Sequence, residues 1–166
     1  MLIEKLKERF GADILDAQSA HGDETIVVPR DRAPDIMRAL RDEPDFEFNM
    51  LADVTAVDWL ERKPRFDVVY HLNSLTHNHR LRVKVQVDGP EPVVLSMVPL
   101  WNSANWLERE CWDMFGVRFE GHPDLRRILL YDSFQGHPLR KDYPYRKRQP
   151  IVEETDPVAR PLRPSR

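Results

Sequence analysis

Five residues that could carry acid–base or metal chemistry lie close together in the chain. They are Glu108, Arg109, Glu110, Asp113 and His122. Glu110 and Asp113 are three residues apart, which places both carboxylates on one face of a helix. Together with His122 they could form a carboxylate and imidazole metal site or an acid–base pair. One hypothesis is therefore a free-standing metal-dependent enzyme that uses these three residues.

The same residues also fit a structural role. Arg109 lies four residues before Asp113 and beside both glutamates, so the charges could neutralise one another as an ion-pair network on an exposed helix face. The opposite, buried face would then be a predicted apolar stripe of Leu100, Ala104, Leu107, Cys111 and Met114. Charge pairing of this kind is the commoner arrangement on surface helices, so we favour it over catalysis.

Two other patterns indicate binding chemistry less strongly. His77 and His79 have metal-like spacing, but they flank a predicted hairpin tip and no third ligand is near in sequence. The stretch "LRKDYPYRKRQP" mixes basic and aromatic residues, as nucleic-acid contacts do. However, the rest of the chain is acidic and lacks the aromatic motif of RNA-binding sheets. We predict neither a metal site nor a nucleic-acid partner.

Composition narrows the class of protein further. The 166 residues suit one domain, with 41% hydrophobic and 32% charged residues. Cys111 is the single cysteine, so internal disulfides and a four-thiolate iron–sulfur cluster are excluded, and we expect a buried, inert thiol. No glycine-rich phosphate loop is present. No apolar run approaches the roughly 20 residues of a membrane span, and the start of the chain lacks the pattern of a secretory signal. We therefore expect a location in the cytoplasm or on the soluble part of a membrane protein.

Hydrophobic periodicity predicts a mixed fold. "LIEKLKERF" predicts a helix that ends at Gly11, and strands follow at 13–18 and 24–30. Asp31 is the expected N-cap of a helix over 32–43. Strands are predicted at about 46–58, 66–76 and 79–88, and a final helix at about 100–115 ends at Gly116. The order α-β-β-α-β-β-β-α predicts an α+β, two-layer sandwich with its helices on one sheet face.

The carboxyl-terminal part has a different composition. Six of the 14 prolines lie beyond position 136, where no periodicity is visible. Residues 140–166 carry eight Lys or Arg and four Asp or Glu, whereas the whole chain has a net charge of −3. We predict a domain over 1–135 and an extended, partner-binding arm over 136–166 that gains order on binding.

Three tryptophans indicate a contact surface. Trp101, Trp106 and Trp112 fall on or beside the last helix, and one amphipathic face cannot bury all three together with the apolar stripe. Trp106 and Trp112 are expected to point elsewhere. Exposed tryptophan beside charged residues is typical of protein–protein interfaces.

The motif around this helix resembles that of a known family, the C subunit, or 30 kDa subunit, of the proton-pumping NADH:quinone oxidoreductase, respiratory complex I. The family pattern is filled by Glu108, Arg109, Glu110, Asp113, Met114, Phe115, His122, Arg126, Ile128 and Leu129. "LADVTAVDW" (51–59) and "GHPLRKDYP" (136–144) are similar to two further family elements. The segment "LYDSFQGHP" departs from the acidic, tryptophan-containing version common in the family.

The resemblance implies a structural, non-catalytic subunit of the peripheral arm. Activity would belong to the complex, which oxidises NADH, reduces quinone and pumps protons. The resemblance implies that this chain holds no cofactor of its own, that flavin and iron–sulfur clusters sit in partner subunits, and that partners bind the quinone. It implies a hetero-oligomer, chiefly with the D subunit and also with the B and I subunits, on the cytoplasmic side of the bacterial inner membrane. Related membrane-bound hydrogenases and ferredoxin-using complexes share this subunit and remain an alternative.

The expected partner interface combines the helix, the loop after it and the arm. We expect hydrogen-bonded ion pairs inside or across this surface. The candidate residues are Glu108, Arg109, Glu110, Asp113, His122, Arg126, Arg127, Pro138, Leu139, Arg140, Lys141, Asp142 and Tyr143.

Overall fold

The computed structural model describes residues 2–149. Its helices and strands follow one another as α1 (Leu2–Phe10), a short 3-10 turn (Gly11–Asp13), β1 (Asp16–Ala20), β2 (Asp23–Val28), α2 (Ala33–Asp42), β3 (Met50–Asp58), β4 (Phe66–Ser74), β5 (His79–Val87), β6 (Val93–Leu95), α3 (Ala104–Phe115) and β7 (Arg118–Glu120). The predicted α+β class and the order of the eight main elements are confirmed.

The main sheet has five strands in the order β1-β2-β5-β4-β3. β2 pairs with β5 in parallel, and the other neighbours are antiparallel. Strand residues alternate as expected: Leu81, Val83 and Val85 are buried, while the residues between them are partly exposed. The buried face of the sheet packs with residues of all three helices into one core that includes Leu6, Ile36 and Cys111.

Two short strands were not predicted. β6 and β7 have three residues each and form a separate parallel pair, with Val94 opposite Phe119. Three residues are too few for a period-two pattern to be recognised in a sequence. This pair fixes the chain on both sides of α3, because β6 comes before the helix and β7 after it.

Several predicted boundaries were wrong, among them the start of β1, which lies at Asp16 rather than at 13 because Gly11–Asp13 form a 3-10 turn. β3 begins at Met50 rather than at 46, since the Phe48 amide bonds the Leu40 carbonyl and keeps this segment beside α2. α3 begins at Ala104, because the Trp101 amide closes a turn on the Met97 carbonyl. Asp31 does not cap α2; the cap residue is Arg32, which makes no side-chain cap bond, and the Asp31 carboxylate accepts a hydrogen bond from Arg30.

The buried face of α3 also differs from the prediction. Glu108 and Asp113 are completely buried, whereas Leu107 and Met114 of the expected apolar stripe are half-buried. A charged group enters a core only when hydrogen bonds or an opposite charge satisfy it. The partners of these two carboxylates therefore define what the helix motif does.

Candidate partner-binding surface

Glu108 ties α3 to the segment that precedes it. Its two carboxyl oxygens accept hydrogen bonds of 2.6 Å each, one from the Ser96 hydroxyl and one from the Met97 amide. Burial raises the pKa of Glu108 to about 7, against the opposing effect of these two donors. Glu108, the first acid of the motif, therefore links α3 to the segment before it and titrates near neutral pH.

Asp113 holds the loop that follows β7. One of its oxygens accepts a 2.5 Å hydrogen bond from Arg127, and the other accepts bonds from the amides of residues 128, 129 and 130. Burial alone would raise the pKa of Asp113, but the three amides and the guanidinium outweigh it, and the pKa is lowered. Asp113 is thus a charged anchor, and its two carboxylate oxygens together accept four hydrogen bonds, which is close to their full capacity.

Arg127 and Arg109 both hold the loop over 121–135 through hydrogen bonds to its main-chain carbonyls. Arg127 also donates to the carbonyls of Phe134 and Gly136, and Arg109 donates to the carbonyls of Arg126 and Arg127. Both arginines therefore bind main-chain oxygens of a segment that has no helix or strand after β7. Their role within the chain is to give this segment one conformation.

The predicted ion-pair network on the exposed face of α3 was wrong. Arg109 pairs with no acid of the motif, and two of those acids, Glu108 and Asp113, are buried. Glu110 is the exposed member. Among residues 2–149 it makes no ion pair. The four charges thus have four separate environments rather than one shared network.

The proposed metal-dependent site is contradicted by the same contacts. The carboxylate oxygens of Asp113 already accept hydrogen bonds from Arg127 and three amides, and His122 is hydrogen-bonded at both ring nitrogens. Its Nε2 lies 3.0 Å from the Asn105 carbonyl oxygen and its Nδ1 accepts the Asp124 amide, so the proton belongs on Nε2 and no lone pair is left. Within residues 2–149 no group of three His, Cys, Asp or Glu side chains is placed to hold a metal. His77 and His79 stack on each other at 6.1 Å instead.

The first part of the arm lies on the chain's own domain. The Leu139 amide bonds the Met114 carbonyl, and His137 Nδ1 lies 3.0 Å from the Asp113 carbonyl oxygen. Arg140 donates to the carbonyls of Phe115, Gly116 and Pro90. Gly116 ends α3 with a φ of 73°, and a Cβ there would lie 2.5 Å from the His137 ring and 2.6 Å from Arg140, so only glycine fits.

The contacts of residues 136–149 were not part of the sequence prediction, which placed the whole arm against a partner. The expectations for residues 150–166 lie outside the described residues. Of the predicted interface residues in this segment, Arg140 is half-buried within the chain, while Leu139, Lys141 and Asp142 are exposed. The segment is therefore held to the domain at its start, and several of its side chains remain exposed for contact with a partner.

A further buried acid, which was not predicted from the sequence, anchors the arm to the sheet. Asp58 at the end of β3 binds Arg65 through both oxygens and accepts the Lys141 amide at 2.9 Å. Arg65 in turn binds Asp142 at 2.9 Å. The Arg65 guanidinium, opposed by burial, holds the pKa of Asp58 well below its usual range. The available signal was the alternation of Val54, Ala56 and Asp58, which puts an acid on the buried face.

The tryptophans separate as predicted. Trp101 is buried and its indole nitrogen donates to the Phe48 carbonyl, whereas Trp106 is 70% exposed. Trp112 is half-buried between the His137 ring, at 5.9 Å, and the Arg127 guanidinium, at 5.6 Å.

Cys111 is buried, and burial together with nearby carboxylates raises the pKa of its thiol. No helix within residues 2–149 has the length and apolar character that a membrane crossing requires.

Comparison with known proteins is consistent with this geometry. The profile of the family described as "Respiratory-chain NADH dehydrogenase, 30 Kd subunit" matches residues 26–149. The C 2 subunit of the NADH-quinone oxidoreductase of Rhizobium etli is 44% identical over 160 residues, covering 94% of this chain and 85% of the relative. The C subunit of the NADH-quinone oxidoreductase of Geobacter sulfurreducens is 50% identical over 141 residues, covering 84% and 86%.

Two solved structures share the fold. One is described as "Nqo5 of the trypsin-resistant fragment (1-134) in P63 form"; it is 37% identical, has a TM-score of 0.65, and covers 75% of this chain and 100% of that one. The other is the membrane-bound sulfane sulfur reductase, an archaeal respiratory membrane complex, with 22% identity, a TM-score of 0.73 and coverage of 86% and 84%. The second likeness is one of fold alone.

The fold and the relatives define a subunit of a larger respiratory assembly. More specifically, the chain belongs to the respiratory-chain NADH dehydrogenase 30 kDa family, which comprises the C subunits of NADH-quinone oxidoreductases. The resemblance stated from the helix motif is confirmed, and so is the expectation of a multi-subunit respiratory complex.

Proposed function

We propose that this chain is a non-catalytic structural subunit in the peripheral arm of the complex that couples NADH oxidation to quinone reduction and proton translocation. The observation that carries this proposal is the state of the helix motif. Asp113 and His122, two of the three residues that could have done acid–base or metal chemistry, are each bonded to groups of the same chain. Glu110, the third, is exposed and is left without the two partners that such chemistry would need.

The proposal extends to cofactors and partners. Flavin, iron–sulfur clusters and quinone belong to the other subunits, and this chain packs chiefly on the D subunit, with the B and I subunits nearby. The complex is attached to the cytoplasmic side of the bacterial inner membrane, and this chain reaches the membrane through its partners. The names of the relatives, C subunits of NADH-quinone oxidoreductases, support the assignment to such a complex.

The division of the chain belongs to the same proposal. Residues 1–135 form the domain, and the arm over 136–166 runs from that domain onto a partner. Its start is fixed by Asp58, Arg65 and Arg140, which supports a defined direction of departure. The expected interface lies where α3, the following loop and the arm meet.

The test is recovery of the tagged chain from gently solubilised membranes. Mass spectrometry and NADH:quinone activity are measured on the same eluate. Recovery of a large cluster-containing complex with that activity supports the proposal. A chain recovered alone would contradict it.

The non-catalytic role has a test of its own. Glu108→Gln keeps the size and most hydrogen bonds of the side chain, so assembled complex carrying this variant should retain its turnover per flavin. Normal amounts of complex with a specific loss of turnover would overturn the structural role.

A further inference from the structure

A groove lies between the edge strand β3 and α3, with the arm at one end. Its cavity of about 120 Å³ is lined by residues of all three segments, among them Asp53, Thr55, Glu110, Met114, Phe115 and Leu139. We call it the β3–α3 groove. A cavity of this size admits the end of one long side chain and is too small for a folded element.

The groove carries two negative charges that no ion pair of the described residues neutralises. Asp53 and Glu110 both line it, and both act electrostatically on the buried Cys111 thiol. Neither carboxylate forms an ion pair within residues 2–149. Asp53 faces His71 across the β3–β4 ladder, and burial lowers the pKa of that histidine, which favours its neutral form.

Three arginines that lie near the groove residues in sequence are used elsewhere. Arg109 donates to the carbonyls of Arg126 and Arg127, and Arg127 binds Asp113. Arg140, next to the groove residue Leu139, donates to the carbonyls of Phe115, Gly116 and Pro90. The half-buried Asp53 and the exposed Glu110 are thus without a cation among residues 2–149.

Apolar side chains line the groove beside the two carboxylates. Leu139 is 53% exposed, and Met114 and Phe115 are half-buried. Trp106, 70% exposed, lies one helical turn before Glu110, which lies one turn before Met114. Exposed tryptophan next to a small pocket is typical of binding hot spots, and apolar walls suit the methylene stem of a lysine or arginine.

We propose that the β3–α3 groove receives a lysine or arginine side chain of a neighbouring subunit of the complex. The two carboxylates bind the cationic group, the walls pack on its stem, and Trp106 packs on the partner surface beside it. Glu110 is then the intermolecular member of the helix motif, whereas Glu108 and Asp113 act within the chain. This inference rests on the proposed function, because it takes the partner to be a subunit of the same complex.

Charge reversal in the complex tests the proposal. Glu110→Lys should lower the recovered complex about tenfold or more, and the double change Asp53→Asn with Glu110→Gln should lower it less. Glu61→Lys is the matched control, since Glu61 is exposed and has no ion pair within the described residues, and its yield should equal that of the wild type. The melting temperature of the purified Glu110→Lys chain should stay at the wild-type value.

Second-site suppressors identify the cation. Among changes that restore assembly of Glu110→Lys, we expect replacement of a lysine or arginine in a neighbouring subunit by an acid or a neutral residue. Wild-type yield for both Glu110→Lys and the double variant would overturn the groove while leaving the proposed function intact. Failure of the unmodified chain to recover the complex would instead overturn the proposed function. A purified wild-type dimer that Glu110→Lys dissolves would assign the groove to self-association and overturn the proposal.

Discussion

Asp113 and Arg127 form a buried ion pair at a distance of 2.5 Å, in which the Asp113 side chain is fully inaccessible and the Arg127 side chain is 11% exposed. The pair joins the last helix to the loop that follows β7, and the same arginine reaches the start of the arm at Gly136. Three segments that are separate in sequence are therefore held by one side chain.

Removal of this arginine should be costly. Arg127→Ala leaves Asp113 buried without its charge partner, so we expect a loss of about 3–5 kcal/mol in the free energy of unfolding. Urea denaturation of the purified chain measures it. Arg126→Ala is the neighbouring control, because that arginine is 69% exposed and pairs with an exposed Asp124. Equal denaturation midpoints for the two variants would contradict the anchoring role.

Glu108 should make stability depend on pH. Because its pKa is about 7 in the folded chain and near 4.5 in the unfolded chain, the folded state binds the proton more tightly. The free energy of unfolding should therefore fall between about pH 4.5 and pH 7, by on the order of 3 kcal/mol at most, and level off above. Glu108→Gln should lose this slope while Glu110→Gln keeps it. Parallel curves for Glu108→Gln and the wild type would show that the carboxyl does not titrate in this range.

Asp58 should control protection of the arm. In Asp58→Asn the neutral amide no longer forms the two-point ion pair with Arg65, so trypsin should cleave sooner after Arg140 and Lys141. Asp132→Asn, in an exposed loop position, is the control. In the wild type the contribution of Asp58 is complete above about pH 4 and declines as the pH falls below it, because its pKa is depressed in the folded state. An unchanged cleavage rate in Asp58→Asn would show that contacts other than those of Asp58 keep the arm on the domain.

Cys111 should be inert until the domain unfolds. It is 2% exposed and its thiol pKa is raised, so both access and thiolate formation are suppressed. A maleimide should label the native chain slowly and the urea-unfolded chain completely. A Leu75→Cys variant, at a position 71% exposed, should react at once with one equivalent in the native state. Rapid labelling of native wild type would mean that α3 opens readily.

The strands and helices were largely predictable because their burial follows simple periods. Leu81, Val83 and Val85 alternate as a sheet with one covered face must. The charged residues of α3 were not predictable in the same way. Periodicity assigns Glu108 and Asp113 to the exposed face, and their burial depends on Ser96, Met97 and Arg127, which lie 11 to 14 positions away.

The start of the arm escaped prediction for a related reason. Arg140 binds the carbonyls at the end of α3, and carbonyl oxygens are the same for every residue type. A sequence cannot distinguish an arginine that meets a main-chain oxygen from one that meets a partner. The glycine at 116 was predicted correctly as the end of a helix, but its second role, leaving room for His137 and Arg140, needs the folded chain.

The parallel pairing of β2 with β5 also governs the order in which the domain is completed during synthesis. β2 ends at Val28, and its sheet partner ends at Val87, with α2, β3 and β4 in between. At about 5–20 residues per second, several seconds pass on the ribosome before β5 exists to cover that edge. During this interval the amino-terminal hairpin carries an open strand edge, which is the state most prone to wrong pairing. The nascent chain is thus most vulnerable before its fifth strand emerges, and a chaperone that binds early would act in this interval.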